Sequence, residues 1–219
     1  MNPFASVDEI SPESIKDVLS GSPLGRYSAF VYGLRTFSEG IALSECCREA
    51  NIPFYMLNTS GLHGFFFIDI GRELTFLHHR KDTQTDESQT ITSSRTLKDC
   101  LTDFLSKPLP WRRREIHKND KYLLSAILSK YTQEESSQGN LQSLVTAFAE
   151  SKGLPSSFSE SAKKIVGEFD RAFNLDFNPT SSVIGAIVSQ EIVKVITQRD
   201  FPSHGIAVYD SSTQRCQFE

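Results

Sequence analysis

Asn178–Tyr209, NPTSSVIGAIVSQEIVKVITQRDFPSHGIAVY, reads as a buried helix, a short basic turn and a strand. Asn178 is placed to cap the helix, and Pro179 stands at its first position, where a missing N–H costs nothing. Val183, Ile184, Ile187, Val188, Ile192, Val195 and Ile196 recur at three- and four-residue spacing. Ser182, Gly185, Ala186 and Ser189 form a second stripe of small residues. A glycine inside a helix costs about 1 kcal/mol relative to alanine, so Gly185 predicts that another backbone comes close. Two occupied faces predict a helix wedged between two surfaces, with Lys194 toward solvent. An ordinary core helix against one sheet satisfies the same pattern.

Outward from this stretch, the chain alternates strands and helices. Residues 3–7, 29–34 and 53–57 read as short strands, and helices are predicted from Ser11 or Pro12 to Leu19 and from Ser38 or Glu39 to Ala50. The runs 65–70 and 73–77 flank Gly71-Arg72, which reads as a hairpin turn. Residues 80–94, RKDTQTDESQTITSS, hold almost no large apolar side chains and read as a mobile loop, because they bury too little to offset their ordering entropy. Helical periodicity returns at Leu97–Leu105, Lys121–Tyr131, Leu141–Ala149 and Ala162–Phe173, with loops at Ser136–Asn140 and Gly153–Ser159. Strand, helix and strand in that order predict an α/β fold with parallel pairing and an antiparallel edge.

Composition narrows the function. A hydrophobic fraction of 38% with 16 phenylalanines supports a substantial core in a chain of 219 residues. A net charge of −4 argues against a general nucleic-acid binder. No apolar run approaches the ~18 residues that span a bilayer, and the start MNPFASVDEI has no signal-peptide pattern. Cys46, Cys47, Cys100 and Cys216 form no CxxC pair, and the histidines do not complete a zinc set, so reduced packing thiols are expected.

Several segments resemble the ubiquitin-like modifier-activating enzymes, and among them the smaller, non-catalytic subunits of SUMO activators. Gly185–Asp200, with Gln190-Glu191-Ile192-Val193-Lys194 and Gln198-Arg199-Asp200, resembles their C-terminal helix. Asn2-Pro3-Phe4 is similar to the Asn-Pro that opens a strand of the adenylation fold, with Met1 where the family has leucine. Asn51-Ile52-Pro53-Phe54-Tyr55 and Gly61-Leu62-His63-Gly64-Phe65-Phe66 resemble two further strand elements. The likeness is dense over 1–77 and 165–210 and thin between.

The resemblance implies a partial Rossmann-like, ThiF-type adenylation fold with an inserted helical subdomain. Residues 1–79 would be the C-terminal part of its sheet, 80–94 the loop, 95–176 the insertion and 177–219 the closing helix and strands. It implies a subunit that supports adenylation of the modifier's C-terminus and its transfer to a cysteine on a larger subunit. ATP and Mg would sit in that partner, with no cofactor bound by this chain. The phosphate-binding loop has no counterpart, since Gly21, Gly25 and Gly33 are wrongly spaced for GxGxxG. The expectation is that the N-terminal βαβ units, and the arginine such subunits lend to the ATP site, are missing. No catalytic or metal residue is therefore assigned. Gly185, Ser189, Gln190 and Arg199 are the interface or packing candidates.

Other chemistry is weak. Cys46 and Cys47 lie mid-helix beside Glu45 and Glu49, which disfavours a thiolate. His63 lacks a nucleophile motif to serve and reads as a turn histidine bonding backbone. Trp111-Arg112-Arg113-Arg114 with His117, Lys118 and Lys121 reads as a solvated helix entry, with an import patch or acidic-partner contact as alternatives. Expected partners are the larger SUMO-activating subunit and SUMO, without nucleic acid or membrane. The expected location is the nucleus, with the cytoplasm as an alternative. Three rivals stay open: the equivalent subunit for the cullin-modifying relative, against which Gln198-Arg199-Asp200 argues; a catalytic dinucleotide enzyme, against which the absent glycine loop argues; and an interaction module without enzyme role.

Overall fold

Phe65, Phe66 and Phe67 stand side by side in a strand whose every residue is buried. Neighbouring side chains on a strand point to opposite faces, so this sheet must be covered on both. The computed structural model of the protein shows such a mixed α/β arrangement. It describes residues 6–19, 24–80, 85–92, 95–106, 160–173, 175–211 and 215–218, with helical positions at 123–124, 126–128, 141, 143 and 145.

The main sheet contains β1 (Phe30–Gly33), β2 (Phe54–Ser60), β3 (His63–Asp69), β6 (Gly205–Asp210) and β7 (Arg215–Phe218), in that order. β1 and β2 are parallel, joined by the helix α2 (Phe37–Glu49), and the remaining pairs are antiparallel. Thr36 caps α2 by accepting from the Glu39 N–H at 3.3 Å. A second sheet pairs β4 (Leu74–Arg80) with β5 (Thr85–Ile91).

On one face of the main sheet, Phe54, Met56, Phe65, Phe67, Ile206 and Val208 pack in one cluster with side chains from α1 (Pro12–Leu19), α2, α3 (Leu97–Ser106) and α4 (Glu160–Arg171). Leu124, Ile127, Leu141 and Val145 join the same cluster, so the helical segments and the sheet share a core. On the other face, Tyr55, Phe66, Ile68, Ala207 and Tyr209 meet Ile184, Val188 and Val195 of α5 (Asn178–Thr197).

Three local readings are corrected. β3 and β4 do not form a hairpin. Gly71 takes φ +90° and its N–H donates to Asp69 Oδ1 at 2.9 Å, which turns the chain out of the main sheet. The hairpin is β2–β3, across Gly61 at φ +57°. Residues 85–91 form β5 rather than a loop, because β4 supplies the partner that their own composition lacks. Asn178 is not the cap of α5: Phe177 holds that position, with no side-chain capping bond. The expected strand at 3–7 falls largely outside the described residues, as do the loops at 136–140 and 153–159, Asn2-Pro3-Phe4 and the basic cluster at 111–121.

Candidate functional site

α5 has apolar residues all round, yet only one side of it is covered. Thr180, Ile184, Val188, Glu191 and Val195 are buried against the main sheet. The opposite side carries Val183, Val193 and Ile196 at 39%, 57% and 54% exposure. A soluble helix ordinarily turns polar residues outward, so this face is the most distinctive surface on the described chain. Ser182, Ala186, Ser189 and Gln190 lie on it, all exposed. The wedge predicted from sequence is therefore corrected within this chain: a Cβ added at Gly185 would meet nothing within 4 Å. The close approach is made elsewhere. Ile184 Cδ1 fills the space that a Cβ at Gly64 would need, and Asn58 O lies 3.0 Å from the same point.

Both ends of α5 are tied down. At the N-terminal end Ser181 Oγ lies 3.2 Å from Thr59 Oγ1 on β2. Toward the other end, the buried Glu191 carboxylate accepts from Lys194 Nζ and from the Ser203 N–H, each at 2.7 Å. A buried carboxylate is costly unless such charge-assisted bonds satisfy it. Lys194 is therefore paired, not simply solvated. Tyr55 lies in the same apolar cluster, where burial first and the Glu191 carboxylate second hold its phenol well above its usual range.

The Gln198-Arg199-Asp200 turn has a backbone role. Gln198 ends the helix in the left-handed region at φ 53°, and Asp200 adopts φ 63°. Between them Arg199 forms a parallel bridge to β4: the Leu77 N–H donates to Gln198 O at 2.8 Å, and the Asp200 N–H donates to Leu77 O at 3.1 Å. The turn thus fastens the β4–β5 ribbon to the end of α5. Arg199 is exposed and Gly185 half-buried. Gly185, Ser189 and Gln190 share the helix, while Arg199 stands beyond its last turn.

Among the described residues the titratable groups elsewhere do not assemble a reaction centre. Burial, then Glu49 and Glu45, raises the half-buried Cys46 thiol. Burial chiefly pushes Cys47 to about 12 and Cys100 to about 11. His63 is the first residue of β3 and fully buried, and neither ring nitrogen has a hydrogen-bond partner; this corrects the backbone-bonded reading. Its Nδ1 lies 3.5 Å from Asp210 Oδ1 across the β3–β6 pair. Asp69, which sequence reasoning passed over, gathers Arg48 Nη2 at 2.7 Å, Arg48 Nε at 3.1 Å and Ser44 Oγ at 3.4 Å. It is a buried structural hub between α2 and β3. Among the described residues no cluster of three His, Cys, Asp or Glu side chains could hold a metal. No described helix is long and apolar enough to cross a membrane.

No family model matches the chain. Its sequence is 20% identical to the DNA damage tolerance protein rad31 of Schizosaccharomyces pombe over 215 residues, covering 97% of this chain and 66% of that protein. It is 21% identical to SUMO-activating enzyme subunit 1 of Dictyostelium discoideum, covering 96% of this chain and 64% of that protein. The likeness to SUMO-activating enzyme subunit 1 of Xenopus laevis is 23%, over 79% of this chain and 57% of that one. The chain spans about two thirds, or less, of the length of these relatives. The chain is a distant sequence relative of the proteins named SUMO-activating enzyme subunit 1.

Proposed function

We propose that this chain is the non-catalytic small subunit of a heterodimeric SUMO activator, built on part of a ThiF-type adenylation fold. The observation that carries this reading is the likeness to rad31 and to the Dictyostelium subunit along nearly the whole chain. The open face of α5 supports it, since an apolar helix surface left uncovered in one chain marks an interface. In this reading the larger subunit binds ATP and Mg, adenylates the modifier and accepts it on a cysteine. The present chain binds no nucleotide. Val183, Val193 and Ile196 press on the partner, Gly185 and Ser189 let it come near, and Gln190 and Arg199 supply polar contacts at the rim. The high thiol pKa values of Cys46, Cys47 and Cys100 fit a subunit that carries no thioester. Nucleic acid and membrane have no part, and the place of action is the nucleus.

The test is reconstitution. The chain is mixed with the larger SUMO-activating subunit, and SUMO-dependent exchange of pyrophosphate into ATP is measured. Exchange is expected only with both chains present. Val193→Asp should weaken their association by roughly tenfold or more, the cost of burying an unpaired charge. Absence of any association at micromolar concentrations rejects the reading.

A further inference from the structure

The free edges in this fold differ in a way that points to a second interface, beyond the proposed activator role and independent of the α5 face. β1 and β7, the outer strands of the main sheet, have only four residues each. Very short edge strands are one of the devices that keep a sheet from pairing further. β4 is shielded on its outer side by the Arg199 bridge. β5 is longer, at seven residues, contains neither proline nor lysine, and pairs with no other strand than β4 among the described residues.

The direction of its backbone groups follows from the bridge. Leu77 uses both its N–H and its C=O toward residues 198–200, so neither points at β5. Leu77 is paired with Ser88, which makes that pair the non-hydrogen-bonded kind. Ser88 therefore turns its own N–H and C=O away from β4. The alternation of an antiparallel ladder extends this to Asp86 and Thr90. Their exposed side chains leave that edge open to an approaching strand.

We propose that the β5 edge pairs with β5 of a second copy of this chain, antiparallel and centred on Ser88. In that register Ser88 faces Ser88, Asp86 faces Thr90 and Glu87 faces Gln89. Every outward residue exchanges both backbone groups with its opposite, and each carboxylate meets a hydroxyl or an amide donor. Moving the centre to Glu87 sets two carboxylates against each other, which is destabilising in a directly opposed pair. Such a self-matched patch gives a closed two-fold dimer. A single ribbon buries little area, so the association is weak and concentration-dependent.

The test uses the full chain. Ser88→Cys places two thiols in a hydrogen-bonded pair, whose Cα separation of about 5.5 Å suits a disulfide. Under mild oxidation it should form a covalent dimer at least tenfold faster than Gln89→Cys or the unsubstituted chain. Ser88→Pro removes an outward N–H while leaving the ladder to β4 intact, and should weaken the dimer at least tenfold by sedimentation. Circular dichroism and thermal melting verify that this variant is folded. Equal cross-linking of Ser88→Cys and Gln89→Cys overturns the proposal, as does a dimer indifferent to Ser88→Pro. A chain that stays monomeric, yet loses a different protein partner on Ser88→Pro, also rejects the second copy as occupant. Pyrophosphate exchange with the larger subunit is read separately, so failure here leaves the activator role standing or falling on its own assay.

Discussion

Ile184 occupies the place where a side chain at Gly64 would have to sit. The helix α5 therefore lies close on β3 at this one point. Gly64→Ala forces Ile184 to move and presses on Asn58 O, and overpacking of this kind costs about 1–3 kcal/mol. Gly185→Ala meets nothing and should stabilise the isolated chain by up to about 1 kcal/mol through helix propensity. Urea unfolding of the two variants gives opposite signs if the packing is as described. A destabilising Gly185→Ala in the isolated chain would contradict it.

Arg48→Ala leaves the Asp69 carboxylate buried without its two guanidinium bonds. Breaking a buried pair from one side costs about 3–5 kcal/mol. The remaining bonds from Ser44 and Gly71 should keep the loss near the lower end. Denaturant midpoints of Arg48→Ala and Arg48→Lys test this. Lysine keeps the charge but not the paired geometry, so it should recover only part of the stability.

Gln198 holds a left-handed backbone without being glycine, a conformation that costs roughly 1–2 kcal/mol for a side-chain-bearing residue. Gln198→Gly should raise stability by up to about 1 kcal/mol, once the added freedom of the unfolded chain is counted. Thermal melting of this variant checks it, and a fall in melting temperature would show that the Gln198 side chain makes contacts outweighing the strain.

The buried thiols set an alkaline limit. Cys47 moves from 9.0 to about 12 on folding, through burial and then the neighbouring Cys46 and Asp69. A raised pKa in the folded state contributes stability that is full below pH 9. It is lost as the pH climbs toward 12, because the unfolded chain releases its proton first. Denaturant unfolding at pH 8 and at pH 10.5 should show a decline, and Cys47→Ala should shrink that decline. At pH 8 an alkylating reagent should modify Cys46 before Cys47 or Cys100.

The sequence revealed helices more readily than their surroundings. α5 was legible because its apolar residues recur over twenty positions behind Pro179, and α2 was read from Ser38 or Glu39, just inside its true start at Phe37 behind the Thr36 cap. Periodicity shows that a helix has two apolar faces but not what covers them, so the exposure of Val193 and Ile196 could not be read. Gly71-Arg72 looked like a hairpin turn because the bond from Gly71 to Asp69, which sends the chain away, involves a side chain on β3. β5 was invisible for the same kind of reason. Its central Asp86, Glu87, Ser88 and Gln89 have little strand preference of their own, and Leu74, Phe76 and the rest of β4 impose it. Of the candidate site, the Glu191–Lys194 spacing was on view, whereas the Ser203 N–H that completes the Glu191 contact belongs to a loop with no pattern to announce it.

β3 lies between β2, its immediate neighbour in sequence, and β6, which arrives only after the chain has passed through the ribbon and every helix from α3 to α5. Closing so long an excursion must be met before the β3–β6 contacts repay it, although the penalty grows only logarithmically with the length enclosed. Speed suffers more than stability, because pairings remote along the chain delay the crossing of the folding barrier. Until β6 arrives, one long side of β3, with Phe65, Phe66 and Phe67 side by side, has no neighbour. During synthesis that interval begins when β3 has been made and ends only when the residues of β6 have emerged.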